Sequence, residues 1–106
     1  MDAVYWEPGV AGDNGRLVFK PPVALKVFWT EGSVEVATPD KTAALAKAEI
    51  MTSIDTQVGG YIALGLLESV EHPTDPLRNA ETFRIIATAK QHPIRAGKPI
   101  LRRAWI

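Results

Sequence analysis

The chain reads as an all-β protein: a small antiparallel β-barrel or sandwich with long loops and at most a short helical turn. Two observations predict this. Apolar residues recur with period two in several short runs rich in β-branched and aromatic side chains. Glycine and proline, 8 of each in 106 residues, separate those runs at a spacing of roughly 8 to 12 residues, as in sandwiches and small barrels. The length suits one domain, residues 1–106, with one core.

Taken in order, Ala3-Val4-Tyr5-Trp6 is a strand-prone run stopped by Glu7-Pro8-Gly9, and it reads as a first strand or an arm. Asn14-Gly15 favours a tight reversal, after which Arg16 to Phe19 forms a brief strand that Pro21-Pro22 ends. The cleanest alternation follows, with Val23, Leu25, Val27 and Trp29 on one face and Ala24, Lys26 and Phe28 on the other. Glu31-Gly32-Ser33 reads as a turn and Val34-Glu35-Val36 as the returning strand of a hairpin.

The next segment pulls two ways. Thr38-Pro39 resembles a helix start and Ala43 to Ala48 favours helix, yet Ala48, Ile50, Thr52 and Ile54 alternate with Glu49, Met51 and Ser53. The pattern predicts a loop with one helical turn within residues 39–48 and a strand from about Leu45 to Ile54. Gly59-Gly60 then predicts a β-hairpin joining that strand to Tyr61-Ile62-Ala63-Leu64, which Gly65 ends. The longest connection, from Glu68 to Glu81, carries two prolines. Phe83 to Lys90 returns to strand with Phe83, Ile85, Ala87 and Ala89 on one face, and His92-Pro93 with Gly97-Lys98-Pro99 brackets a turn. Leu101 to Ile106 stays apolar to its last residue, so it is expected to close the barrel or to form an assembly contact through Leu101, Arg102, Arg103, Trp105 and Ile106. The predicted core is Val23, Leu25, Val27, Trp29, Ile50, Ile62, Leu64, Phe83 and Ile85.

Function classes are narrowed mainly by what is missing. Twelve basic and twelve acidic residues cancel, which argues against a surface built to grip nucleic acid or an acidic membrane. The absence of cysteine removes thiolate chemistry and is compatible with folding in a reducing compartment. No run suits a membrane span or signal peptide, so a soluble product is expected. His72 and His92 each precede a proline and lack metal-ligand spacing; Glu68, Glu71 and Asp75 fit no calcium loop. No phosphate loop, nucleophile elbow or acid–base pair is present in the spacing. The expectation is a protein that is not an enzyme and holds no cofactor or metal.

Four blocks in succession carry a resemblance: Ala3-Val4-Tyr5-Trp6, Pro22 to Trp29, Tyr61 to Gly65, and Leu101 to Ile106. Together they resemble the small head-tail connector proteins of tailed bacteriophages, the head-closure or stopper family of the neck; the alanine-rich Ala43 to Ala48 departs from that pattern. The resemblance implies a virion protein, made in the host cytoplasm, whose β-barrel subunits form a homo-oligomeric ring. Portal or adaptor protein would lie on the head side and tail terminator or another tail protein on the other, with packaged DNA passing through or held by the ring. Within it, Thr38, Pro39, Asp40, Lys41, Thr42, Ala43 and Ala44 are the candidate channel loop; the Glu68 to Glu81 connection is an equally available candidate, and an ordinary surface loop or short helix is the alternative to a channel role. An OB-like or SH3-like binding module of a cellular complex is the alternative.

Overall fold

Ala3-Val4-Tyr5-Trp6 lies in the middle of the molecule, not on an arm. The structure is a computed structural model that describes residues 1–13, 15–91 and 101–106. In it, β1 (Asp2–Trp6) pairs antiparallel with β4 (Val23–Lys26) on one side and β7 (Tyr61–Leu64) on the other. With β8 (Phe83–Arg84) these make a four-stranded sheet of order β4-β1-β7-β8. A second four-stranded sheet has the order β5-β6-β10-β9, from β5 (Phe28–Ala37), β6 (Ala43–Thr52), β10 (Leu101–Trp105) and β9 (Ala87–Gln91). The Gly12 to Gly15 reversal joins β2 (Val10–Ala11) to β3 (Leu17–Val18) in a separate two-stranded ribbon, with Gly15 at φ 76°.

The chain passes between the sheets at two corners. At the first, Val27 exchanges backbone hydrogen bonds of 2.9 Å with Met1, so β4 runs into β5 through one buried residue. At the second, Ile85 bonds to Gly59 and Gly60 on one side while the Ile86 amide donates to the Trp105 carbonyl on the other. Corners made by strands that change sheet are the usual device of such packings. The ladders do not close into a barrel, and the architecture is a sandwich.

The core lies between the sheets. Ala3, Tyr5, Leu25 and Ile62 come from the first, Ala48, Ile50 and Ala104 from the second, and Val27, Ile85 and Ile106 adjoin them. Trp29 and Phe83 meet across the gap with ring centres 5.9 Å apart. Leu25→Ala should therefore cost about 2 to 5 kcal/mol, from lost methylenes and a cavity. Chemical denaturation measures this, and a change under about 0.5 kcal/mol would place Leu25 outside the core.

Several expectations are corrected. Gly59-Gly60 does not turn a hairpin between neighbouring strands, because β6 and β7 belong to different sheets. Gly59 takes φ 89°, and a Cβ on buried Gly60 would lie 2.8 Å from the Trp6 carbonyl oxygen. The diglycine thus brings the chain against β1. Gly60→Ala should cost about 1 to 3 kcal/mol by forcing that backbone apart, read as a lowered denaturation midpoint; an unchanged midpoint would deny the close approach.

Glu31-Gly32-Ser33 is not a turn but an irregularity inside β5, where the register to β6 shifts between Glu31 and Val34. Ala43 to Ala48 is not helical: it is paired strand from Ala43, and the strand stops at Thr52, short of Ile54. Cross-strand pairing has overridden the helical preference of alanine. Val23 and Leu64, expected in the core, are 48% and 42% exposed. Ala87 and Ala89 pair opposite Trp105 and Arg103, on the face away from buried Ala104, because the corner at Ile85-Ile86 breaks the alternation begun at Phe83. The expected turn around His92-Pro93 and Gly97-Lys98-Pro99 lies outside the described residues.

Candidate functional site

The long connection after Gly65 is a cover. Val4 and Trp6 point away from the core, yet both are buried. Residues Leu66, Ser69, Val70, Glu71, Asn79 and Ala80 line a cavity with them. The Trp6 indole N–H donates to the Pro73 carbonyl at 2.9 Å, and Pro76 is fully buried. Asn79 fastens the loop to itself, its Oδ1 accepting from the His72 amide at 2.7 Å and its Nδ2 donating to the His72 carbonyl at 2.8 Å. The Asp75 carboxylate accepts from the Leu77 amide at 3.1 Å and starts a short 3-10 turn, Pro76–Arg78. Glu68 and Glu71 face solvent.

On the core side of β1, the Tyr5 hydroxyl accepts from the Gln57 amide at 2.9 Å. Burial raises its pKa above the ordinary 10.0. For an acid raised in the folded state, the stabilisation is complete below the unfolded value and is lost as pH rises through the folded one. Stability should thus decline above about pH 10, with a shallower decline in Tyr5→Phe; equal alkaline profiles would contradict the assignment.

The candidate channel loop falls at the tip of the β5–β6 hairpin. Thr38 to Thr42 make the turn and Ala43-Ala44 are the first residues of β6. The Asp40 carboxylate accepts from the Thr38 and Thr42 hydroxyls and from the Thr42 amide. These bonds hold its pKa below the ordinary carboxylate value, with Thr38 the leading cause. The Thr38 amide donates to the Thr42 carbonyl at 2.9 Å and Lys41 sits at φ 66°. A segment expected to be a loop with one helical turn is a closed, hydrogen-bonded turn.

Each arm of that hairpin is ten residues long. Near its base β6 also pairs with β10, over Glu49 to Thr52. Further out, Lys47 and Ala48 bond to Ile106. Beyond them, among the described residues, β6 pairs with β5 alone over the rows Val34–Ala46 to Ala37–Ala43. The tip borders an open groove whose other wall is Val58 with Arg84, Ile85 and Ile86. The molecule is elongated, with extents of 46 × 33 × 25 Å and a radius of gyration of 14.3 Å, against about 13 Å for a compact chain of this length.

The residues proposed as an assembly contact sit on β10, an interior strand of its sheet, except Ile106, which follows it. Leu101 pairs with Gln91. Arg102 is ion-paired with Asp55 and donates to the Ser53 carbonyl at 2.7 Å. Arg103 Nε lies 3.2 Å from Glu49 Oε1 without hydrogen-bond alignment, the kind of partly exposed pair worth about 0 to 1 kcal/mol. Trp105 is half-buried on the outward face, while Ile106 is buried in the core and bonds to both Lys47 and Ala48. The end of the described chain is thus tied into its own sheet.

Sequence reasoning passed over the exposed apolar side chains that the fold leaves at its edges. Phe28 is 76% exposed, at the start of β5, and Leu45 69%, on the outer face of β6; Val10, Leu17 and Val18 are exposed on the small ribbon. Among the described residues no group of three or more His, Asp or Glu is placed to hold a metal ion, and no helix is long and apolar enough to cross a membrane. His92 lies outside the described residues.

Compared with known protein families, curated proteins and solved structures, the chain matches none.

Proposed function

We propose that the protein is a structural component of the tailed-phage neck, a ring subunit between portal or adaptor and tail that helps to retain packaged DNA. The observation that carries this reading is the β5–β6 hairpin with its self-bonded tip. A two-stranded ribbon is marginal by itself, but this one grows out of a four-stranded sheet and ends in a turn pinned by Asp40. Such a hairpin keeps its shape where a ring would bring it to a channel axis. At the tip Asp40 and Lys41 cancel in charge, which suits a part that blocks DNA without gripping it. The exposed apolar residues give a ring subunit surface with which to meet its neighbours.

The resemblance in sequence to head-closure proteins supplies the setting; it implies β-barrel subunits, and the fold shares with that the all-β class but not the closed barrel. The test is to shorten Thr38 to Ala44 to a two-residue turn and to follow both incorporation into particles and DNA retention in filled heads. Subunits that fold and assemble while heads leak DNA are the expected result. Full retention would remove the gating role, and failure to assemble would assign the tip to subunit contacts instead.

A further inference from the structure

Resting on the ring reading above, we propose that neighbouring copies join head to tail along one continuous sheet, the open edge of β5 in one subunit pairing with the open edge of β9 in the next. Both strands lie at the ends of the sheet β5-β6-β10-β9. Among the described residues, β5 is paired only to β6, and β9 only to β10. An unpaired edge presents a row of N–H and C=O groups that another edge can satisfy.

The strand count sets the direction. All three ladders of this sheet are antiparallel, so its two end strands run in opposite senses. A copy placed beside β9 by rotation about an axis along the strands brings its β5 in antiparallel. Every further copy repeats the relation. This contact is heterologous, the kind that generates a ring when the rotation closes.

The other sheet is less suited to the same use. Its edge strand β4 has four residues, follows Pro21-Pro22 and ends on Lys26, and its other edge, β8, has two. Short strands, prolines and lysines are the common guards of an edge. By contrast β5 has ten residues with neither proline nor lysine, and β9, with five residues and one lysine, has no proline. Charge argues against a two-fold β5–β5 pairing: β5 carries Glu31 and Glu35 and no base, and like charges across a ladder repel. In β9 the one charged residue is Lys90. A neighbour at the β5 edge would also cover Phe28 and Val34, which are 76% and 45% exposed.

The chain has no cysteine, so introduced ones report alone. Single cysteines at the exposed positions Thr30, Glu31, Ser33 and Glu35 of β5 are combined in mixtures with cysteines at the exposed positions Thr88 and Ala89 of β9, then oxidised. Circular dichroism checks that each variant folds, and native mass spectrometry checks assembly. Head-to-tail pairing predicts disulfide-linked dimers in β5-plus-β9 mixtures and not in either set alone; chains with one cysteine on each edge should link into ladders. Dimers from β5 cysteines alone would overturn the proposal in favour of a two-fold contact. Rings without any β5–β9 link would overturn it and leave the ring intact. Folded protein that stays monomeric, both purified and in particle extracts, would overturn the ring as well.

Discussion

Trp6→Ala should destabilise the domain by about 3 to 5 kcal/mol, the range for removing a large buried aromatic side chain. Trp6 is fully buried, and it ties β1 to the loop that covers it through the 2.9 Å bond to Pro73. The effect should therefore spread beyond one cavity. With the indole gone the residue 66–82 connection loses its anchor, and Val4 beneath it gains access to water. Hydrogen exchange should show faster exchange around Pro73 to Asn79 as well as a lower denaturation midpoint. Trp6→Phe, which keeps a ring but removes the N–H donor, should cost less. A loss below about 0.5 kcal/mol for Trp6→Ala, the range of surface changes, would deny that the loop packs on this face.

Removing Ala104 to Ile106 should be the more damaging change. It takes away the last two rows of β10, through which β6 and β9 are joined: Ala104 with Ile50 and Thr88, and Trp105 with Glu49 and Ala87. It also breaks the backbone bonds of Ile86 to Trp105 and of Ile106 to Lys47 and Ala48, and it exposes the surface against which Ala104 and Ile106 are buried. Each net hydrogen bond contributes about 0.5 to 1.5 kcal/mol and a buried Ile about 1.5 to 3. Their sum is comparable with the whole stability of a small domain, about 5 to 15 kcal/mol. The truncated chain should show no cooperative unfolding transition by circular dichroism. A transition near that of the full chain would mean that β10 is dispensable to the fold.

The sheets were legible in the sequence wherever one face of a strand meets the core and the other meets water. Leu25, Val27 and Trp29 kept their alternation even across the corner, because the bend leaves the inward side of β4 continuous with that of β5. Val4 and Trp6 escaped a period-two reading because β1 is buried on both faces. The sign was present as four consecutive apolar residues, Ala3 to Trp6, without a polar one between them. Gly59-Gly60 announced a change of direction, but local turn chemistry does not say which strand comes next to which.

Of the candidate channel loop, Thr38 to Thr42 is legible as a loop, while its Thr-Pro start suggests a helical turn where the chain closes a tight reversal. Its arms are legible in part, as Val34-Glu35-Val36 and the run from about Leu45; the start at Ala43 is not, since alanine propensity is a local quantity while the ladder to Val34-Glu35-Val36 is a long-range one. The polar string from Glu68 to Glu81 hid a structural lid, because its anchors are a carbonyl of Pro73 and a side-chain amide, Asn79, neither of which has a recognisable periodicity.

The proposed place of this chain in the phage neck can be checked by locating the protein in particles of a tailed phage whose genome encodes it, with an antibody against the folded domain and gold-labelled electron microscopy. Label at the junction of head and tail, as a single band on filled particles, is the expected result. Label elsewhere on the virion, or particles complete with tails that carry none of the protein, would contradict it.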